Sequence, residues 1–205
     1  MPKARPGRER DEKVGEIVAA AIARLRDGGY EQLSVIGIAR ELGVAQNTIY
    51  WYFPSKDHLF VAALQQMFDD IRARKADGGP SVIDRIVWFT EQLRDIWELR
   101  AAIEDRAQSS EVVADFAASF HSHLRAMLAK SLRPYVSEQD LDMAVDTYTA
   151  AADGVCLMNV PIERWRDILH FTLQRLIGLD PQMAEDQTAV GDNASESRPL
   201  SAGSR

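Results

Sequence analysis

A run of amide, hydroxyl and aromatic side chains between residues 46 and 56 has the chemistry of DNA recognition. Gln46 and Asn47 carry amides, which can form paired hydrogen bonds with adenine in the major groove. Hydroxyl and ammonium groups more often bind phosphate or sugar, and so act as anchors to the DNA backbone. The run therefore predicts a nucleic-acid surface with two base-reading amides and several backbone anchors. The remaining polar and aromatic members of the run are Thr48, Tyr50, Trp51, Tyr52 and Lys56.

Two short helices around a tight glycine turn are predicted to position this run. Apolar residues recur at helical spacing after Ser34, which is a good N-cap, and Gly43 is suited to end that helix. The second helix ends at Pro54, because proline disfavours a helical residue before it. Such a pair matches a helix-turn-helix. Ordinary packing of two helices is the alternative, since short helices separated by glycine are common in helical proteins.

The segment between Val35 and Leu59 resembles the DNA-binding domain of the tetracycline-repressor (TetR/AcrR) family of transcriptional regulators. Its motifs IARELGV, TIYWYF and PSKDHLF carry the resemblance, which is specific over about residues 10–70 and only architectural beyond them. The resemblance implies that Gln46 and Asn47 are the base readers and that Trp51 lies beside the DNA backbone. It implies that the backbone anchors are Thr48, Tyr50, Tyr52 and Lys56.

Two features depart from the family pattern. Ala45 stands where the family commonly has a capping serine, and losing such a cap typically costs about 1 kcal/mol. Ile36 and Gly37 occupy the first turns of the preceding helix, where some relatives use a polar side chain to reach DNA. We therefore expect the second helix to carry most of the reading surface.

Charge is distributed unevenly along the 205 residues, although the net charge is −7. Residues 1–56 contain nine Lys or Arg against seven Asp or Glu, so this part is basic and the remainder is acidic. Lys3, Arg5, Arg8 and Arg10 precede the first apolar helical residues, which predicts a basic arm able to follow a phosphate backbone. A solvated, frayed terminus is the alternative.

The composition also narrows the class of protein. The single cysteine, Cys156, excludes an internal disulfide, and four scattered histidines have no metal-ligand spacing, so we expect neither a metal nor a cofactor. Because the chain begins without a long apolar segment, we expect a soluble, cytoplasmic protein. No nucleophile with an adjacent base, no carboxylate pair and no phosphate loop is recognisable, which argues against an enzyme. A catalytic arrangement assembled only in space stays open as a less favoured alternative.

The rest of the chain is a succession of amphipathic segments without strand-like alternation, which predicts an all-α fold. We expect the first helix to end at Gly28 and Gly29, and a single helix to run from Ser81 through Trp97. The predicted division is a flexible basic arm at 1–12, a helix-turn-helix DNA-binding domain at 13–56, a connecting helix at 57–77, a helical ligand-binding and dimerisation domain at 78–180, and a disordered tail at 181–205.

The last two predicted helices are candidates for a dimer interface. In the TetR family the corresponding helices pair with their copies, so the resemblance implies a homodimer. The alternative is that the same apolar faces are the core of one subunit. The predicted interface residues are Ala144, Thr147, Ala151, Gly154, Met158, Trp165, Ile168, Leu169, Thr172 and Leu176.

The resemblance also implies that the middle helices enclose a small-molecule site that controls DNA binding. We therefore expect a repressor that leaves its operator DNA when a ligand binds. A regulator without a ligand, controlled by a protein partner, is the alternative, and an open cavity would favour ligand control. Each candidate ligand contact has ordinary core packing as its alternative: Thr90, Trp97, Phe116, Phe120, His123, Met127, Tyr148 and Asn159.

Overall fold

Ten helices make up the part of the chain that the structure describes. The computed structural model describes residues 6–74, 79–158 and 160–178. These ranges contain no strand, which agrees with the expected all-α class. The helices are α1 (Pro6–Gln32), α2 (Val35–Glu41), α3 (Gln46–Tyr52), α4 (Lys56–Ala73), α5 (Val82–Gln92), α6 (Arg94–Glu98), α7 (Arg100–Ala107), α8 (Glu111–Leu132), α9 (Leu141–Leu157) and α10 (Ile162–Leu176).

Helix α1 begins within the predicted arm and is kinked near its C-terminal end. It starts at Pro6, so residues 6–12 of the predicted flexible arm are helical, while residues 1–5 lie outside the described residues. Near its end, Gly28 and Gly29 leave helical geometry, at the two positions where the sequence predicts the helix to stop. Gly29 has φ of 69°, in the left-handed region that glycine adopts without a steric penalty. This kink turns the chain before Tyr30.

Local capping signals define the helix-turn-helix. The Ser34 hydroxyl accepts a hydrogen bond from the Gly37 N–H at 3.1 Å, as expected for an N-cap. Gly43 has φ of 64° and makes the turn between α2 and α3. No side chain caps the start of α3 at Ala45, in agreement with the departure seen in the sequence. Ser55 then caps α4 by accepting a hydrogen bond from the His58 N–H at 3.3 Å.

The helix predicted from Ser81 through Trp97 is instead two helices, α5 and α6. Ser81 caps α5 as expected, because its hydroxyl accepts a hydrogen bond from the Asp84 N–H at 3.0 Å. At Leu93 the N–H donates to the Thr90 carbonyl at 3.2 Å, which is a three-residue rather than a four-residue step. Such a step tightens the turn, and apolar periodicity does not reveal it. The prediction of one continuous helix was therefore wrong at Leu93.

Two apolar cores hold the helices together. The first contains buried residues of α1 to α4 together with residues of α6, α7 and α8, among them Phe60, Ile96 and Phe120. Phe68 of α4 meets Phe120 of α8 edge to face, with ring centroids 5.1 Å apart. The second core joins α5, α9, α10 and the end of α8 around residues such as Leu169. Helix α4 packs against α1 on the N-terminal side and against α6 and α8 among the middle helices.

Candidate nucleic-acid interface and adjoining cavity

The outer face of α3 carries three of the seven side chains that the sequence predicts for DNA contacts. Asn47, Tyr50 and Trp51 are exposed, and Trp51 retains 67% of its accessible surface. Amide, phenol and indole groups are thus presented together on one short helix. The other predicted contacts are half-buried: Gln46, Thr48, Tyr52 and Lys56.

The inner face of α3 holds it against the first core. Ile49 is fully buried, and Phe53, which follows the helix, is also buried. The Phe53 N–H donates to the Ile49 carbonyl at 2.8 Å, so the end of the helix is closed by a backbone hydrogen bond. Because these two apolar side chains fix the inner face, the polar outer face has a defined orientation toward solvent.

Helix α1 adds positive charge beside the outer face of α3. The Arg10 guanidinium carbon lies 5.1 Å from the centroid of the Trp51 ring, and the Trp51 and Tyr52 rings meet edge to face at 4.7 Å. A guanidinium at this distance from an indole face is attracted to the ring. The basic residue predicted for a flexible arm is therefore placed by α1 at the candidate interface. The sequence had singled out both Arg10 and Trp51 but did not predict the contact between them.

Lys56 is placed differently from the exposed anchors. Its Nζ atom lies 3.9 Å from the centroid of the Tyr30 ring, and the side chain is half-buried. Burial lowers the pKa of Lys56 from its ordinary value, and nearby carboxylates of Glu31 and Asp57 oppose that change. Lys56 thus lies at the inner edge of the candidate interface, where it also contacts the residue that follows the kink of α1.

A buried carboxylate joins the DNA-binding helices to α7. Asp57, at the start of α4, accepts hydrogen bonds from Arg106 Nη2 at 2.8 Å, Arg106 Nε at 3.2 Å and the Tyr30 hydroxyl at 2.6 Å. We call Tyr30, Asp57 and Arg106 the interhelix joint. The hydrogen bonds from Arg106 lower the pKa of Asp57 to about 2, and burial followed by the bond to Asp57 raises the pKa of Tyr30. Sequence reasoning missed this joint.

A cavity of about 740 Å³ lies where the two apolar cores meet. Ile71 and Leu93 from the first core line it, as do Tyr148 and Ala152 from the second. Within this lining the Thr90 hydroxyl and the Tyr148 hydroxyl are hydrogen-bonded at 2.8 Å. Because Thr90 also donates to the Ile86 carbonyl at 3.0 Å, the Tyr148 hydroxyl is the donor in that pair.

The structure separates the eight predicted ligand contacts. Four of them, Thr90, Trp97, Met127 and Tyr148, line this cavity. A smaller cleft of about 430 Å³ is lined by Phe116, Phe120 and His123, of which the two phenylalanines are buried in the first core. Asn159 lies outside the described residues. The eight residues are therefore not brought together at one site.

Four arginines lie around the main cavity, and none was selected from the sequence. All four are exposed, and the described residues that line this cavity include no aspartate or glutamate. A sequence signal existed in the basic residues flanking the apolar stripes of three helices, but their convergence depends on the packing of those helices. The four are Arg72, Arg74, Arg85 and Arg125.

Helices α9 and α10 place the predicted dimer residues on several faces. Ala144, Trp165 and Leu169 are buried in the second core, so they pack within the subunit. Thr147 and Met158 are exposed. The other five are partly buried: Ala151, Gly154, Ile168, Thr172 and Leu176.

Three large apolar side chains on the same two helices are exposed and were not selected from the sequence. Met143 and Leu157 on α9 retain 70% and 71% of their accessible surface, and Phe171 on α10 retains 59%. Apolar periodicity cannot distinguish a face that covers the subunit's own core from one that stays open. Each of the three therefore adds exposed apolar area to α9 or α10.

Sequence comparison identifies the N-terminal helices. The family model described as bacterial regulatory proteins, tetR family, matches residues 17–63, which run from α1 into α4 and include the whole helix-turn-helix. Residues 17–63 of this chain are therefore similar to the TetR family of bacterial regulatory proteins. The resemblance drawn from the motifs of α2 and α3 is thereby confirmed.

Curated proteins with similar sequences include transcriptional repressors. The repressor KstR of Rhodococcus jostii is 36% identical over 83 residues, which cover 40% of this chain and 39% of that protein. KstR of Mycolicibacterium smegmatis is 32% identical over 111 residues, or 53% of this chain and 54% of that protein. The chain thus spans about half, or less, of the length of these relatives, which are transcriptional regulators.

Solved structures extend the likeness to the C-terminal helices. A transcriptional regulator from Rhodococcus sp. Rha1 has a TM-score of 0.68 and 20% identity, covering 80% of this chain and 96% of that one. A regulator from Saccharomonospora viridis in complex with choline has a TM-score of 0.66 and 21% identity, with the same two coverages. These matches confirm the predicted fold, which is an N-terminal helix-turn-helix followed by a C-terminal helical domain.

The described helices carry neither a membrane span nor a metal-binding cluster. None of these helices is long and apolar enough to cross a membrane. Within the same described residues, His, Cys, Asp and Glu side chains form no group of three or more able to hold a metal ion.

Proposed function

We propose that this chain is a homodimeric, sequence-specific DNA-binding regulator, and that it is a repressor released from its operator by a small molecule. The observation that carries the proposal is the outer face of α3, where Asn47, Tyr50 and Trp51 are exposed on a helix fixed by buried Ile49. The family match over residues 17–63 and the curated relatives, which are repressors, support it. In such proteins the second helix of the helix-turn-helix enters the major groove.

On this proposal, α3 divides its work between base edges and backbone. Gln46 and Asn47 lie in the first turn of α3, the part of a recognition helix that contacts base edges. Thr48, Tyr50 and Tyr52 would hold phosphate or sugar. Trp51 beside the backbone and Lys56 at the start of α4 complete the set of proposed contacts.

Arg10 strengthens the electrostatic part of this proposal. Its guanidinium lies against the Trp51 ring, so a cation stands next to the groove-facing helix although the whole chain has a net charge of −7. Cations at this position attract the phosphate backbone independently of sequence. We therefore expect affinity for any DNA to fall as salt concentration rises.

A second copy of the chain is the proposed partner of α9 and α10. Met143, Leu157 and Phe171 expose apolar surface there, next to the predicted interface residues Thr147 and Met158. A two-fold dimer would use the same surface on both subunits and would present two α3 helices to half-sites about 34 to 36 Å apart. Sedimentation equilibrium of the full chain measures this assembly, and a monomer at micromolar concentration would contradict it.

Ligand control is supported by the open cavity between the two cores. A volume of about 740 Å³ is within the usual range of small-molecule sites, whereas a filled core would have favoured a regulator without a ligand. Ile71 of α4 lines the cavity, and the same helix begins four residues after the end of α3. A ligand that moved α4 would therefore move α3, and the choline complex of the Saccharomonospora regulator supports a small-molecule site in this fold.

Selection of bound duplexes tests the proposal. The full chain is incubated with randomised duplex DNA, and the recovered sequences are compared with those recovered by Gln46→Ala and Asn47→Ala. We expect the wild type to select an inverted repeat and each variant to lose preference at particular base pairs, at about 1 to 3 kcal/mol per lost contact. Gln139→Ala is the matched control, because Gln139 is an exposed amide between α8 and α9.

The outcomes of this selection separate the parts of the proposal. Recovery of random sequence by the wild type would contradict sequence-specific binding. An inverted repeat that is unchanged in both amide variants would contradict their role as base readers while leaving DNA binding in place. A change with Gln139→Ala of the same size would show that the effects of the α3 variants are not local.

A further inference from the structure

The main cavity combines an apolar interior with a positively charged rim. Its buried lining includes Leu93, Tyr148 and Ala152, and the hydroxyl of Tyr148 is already hydrogen-bonded to Thr90. Four exposed arginines lie at the edge, and the described lining residues supply no carboxylate to neutralise them. The interior therefore favours apolar groups, while the edge favours negative charge.

Two of the four arginines have their charge balanced nearby. Arg125 is paired with Asp146, and its Nη2 atom lies 3.9 Å from Asp142 Oδ1. Arg72 Nη1 lies 3.5 Å from Asp69 Oδ1 on the same helix. A ligand that met these two residues would compete with carboxylates that already occupy them.

Arg74 and Arg85 have neutral partners instead. Arg74 Nη1 donates to the Gln92 side-chain oxygen at 2.8 Å, and Arg85 Nη1 donates to the Pro80 carbonyl at 2.8 Å. Neither forms an ion pair with any residue that the structure describes. Each guanidinium has five N–H donors, so one neutral acceptor leaves both the charge and most of the donors available.

We propose that the cavity binds an amphipathic organic anion, whose apolar body lies against the interior and whose carboxylate or phosphate group binds Arg74 and Arg85. This inference rests on the proposed ligand control, and it adds the chemical class of the ligand. The cavity volume of about 740 Å³ is sufficient for a drug-sized molecule. Guanidinium groups bind carboxylate and phosphate through charge-assisted, often paired hydrogen bonds.

Other ligand classes fit this cavity less well. A quaternary ammonium ion would approach four arginines and would find no carboxylate in the described lining. A neutral apolar molecule would use the interior but would leave the charges of Arg74 and Arg85 without an anionic partner. An inorganic anion alone would use the rim and leave the apolar interior unfilled.

Titration calorimetry with four probes that share one apolar body tests the inference. Decanoate, decyl phosphate, decanol and decyltrimethylammonium are added to the full chain below their aggregation concentrations. We expect both anions to bind about tenfold more tightly than decanol, because charge-assisted hydrogen bonds are added to the same apolar contact. The ammonium probe should bind most weakly. The order of the two anions tells whether a carboxylate or a phosphate is preferred.

Charge-neutralising variants assign the effect to the rim. In Arg74→Gln/Arg85→Gln we expect the preference for anions over decanol to disappear, with decanol affinity unchanged. Arg164→Gln is the control, because Arg164 is an exposed arginine of α10 that does not line the cavity. Circular dichroism and thermal unfolding of each variant confirm that it folds like the wild type.

The results distinguish failure of this inference from failure of the proposed function. Equal binding of decanol and the anions, preference for the ammonium probe, absence of binding by all four, or anion preference that survives in the double variant would each overturn the inference. DNA selection by the same wild-type preparation, done without any probe, tests the regulator separately. Anion binding without DNA binding would contradict the proposed regulator function and would support the proposed anion site.

Discussion

Arg106 and Arg85 are the same residue type in opposite surroundings. Arg106 donates two hydrogen bonds to the buried carboxylate of Asp57, at 2.8 and 3.2 Å, and lies 5.6 Å from the centroid of the Tyr30 ring. Arg85 donates to one backbone carbonyl at the edge of a cavity. The charge of Arg106 is therefore balanced within the fold, whereas that of Arg85 is available to a ligand.

The difference separates a structural use of arginine from a binding use. In the interhelix joint, the Tyr30 hydroxyl and the Arg106 guanidinium both donate to the Asp57 carboxylate. The joint therefore fixes α7 against the start of α4 and the end of α1. At the cavity rim, Arg74 and Arg85 are held by neutral contacts and can accept an anion without breaking an ion pair.

The largest expected effect is the loss of stability on removing the carboxylate of the joint. Asp57→Ala leaves the Tyr30 hydroxyl and the Arg106 guanidinium without their shared acceptor, and we expect the free energy of unfolding to fall by about 2 kcal/mol. Asp69→Ala is the matched control on the same helix, because its ion pair with Arg72 is exposed and should contribute less than about 0.5 kcal/mol. Urea denaturation measures both losses. Equal losses would show that the joint contributes no more to stability than an exposed ion pair.

A smaller effect is expected from the pH dependence of the joint. The pKa of Asp57 is about 2 in the folded protein, below its ordinary value of 3.8, so its stabilisation is present above pH 4 and is lost as pH falls toward 2. The difference in unfolding free energy between wild type and Asp57→Asn should therefore shrink by about 1 kcal/mol between pH 5 and pH 3, because the amide that replaces the carboxyl group cannot titrate there. A difference that stays constant or grows over this range would contradict the low pKa.

The smallest expected effect is that of the rim on stability. Arg85→Gln removes a charge whose described partner is a single carbonyl, so without a ligand the free energy of unfolding should change by less than about 0.5 kcal/mol. Urea denaturation in the absence of any added anion measures this value. A loss comparable to that of Asp57→Ala would show that Arg85 is a structural residue like Arg106, and would end the comparison between the two regions.

Local signals made the helix-turn-helix predictable from the sequence. The Ser34 hydroxyl caps α2 by bonding to an N–H three residues later, and the positive φ of Gly43 makes the turn before α3. Ser81 caps α5 in the same way. Each of these signals acts within a few residues of the chain. The family motifs lie in the same short segment.

The joint and the cavity were not predictable in the same way. Asp57 and Arg106 are 49 residues apart, and no periodicity connects them. The rim arginines come from α4, α5 and α8, whose packing brings them together. Apolar spacing also left open whether Leu169 belongs to the core of the subunit or to a dimer surface, because both uses need the same apolar face of α10, and the structure places Leu169 in the core.

The affinity of the full chain for its selected duplex, compared with a scrambled duplex of equal length across a series of salt concentrations, tests the central claim most directly. Binding by the outer face of α3 predicts that log affinity falls linearly with log salt for both duplexes, and that the selected one is bound at least about a thousandfold more tightly at physiological salt. Equal affinity for the two duplexes, or affinity that does not change with salt, would contradict the account of α3 as a DNA-reading helix.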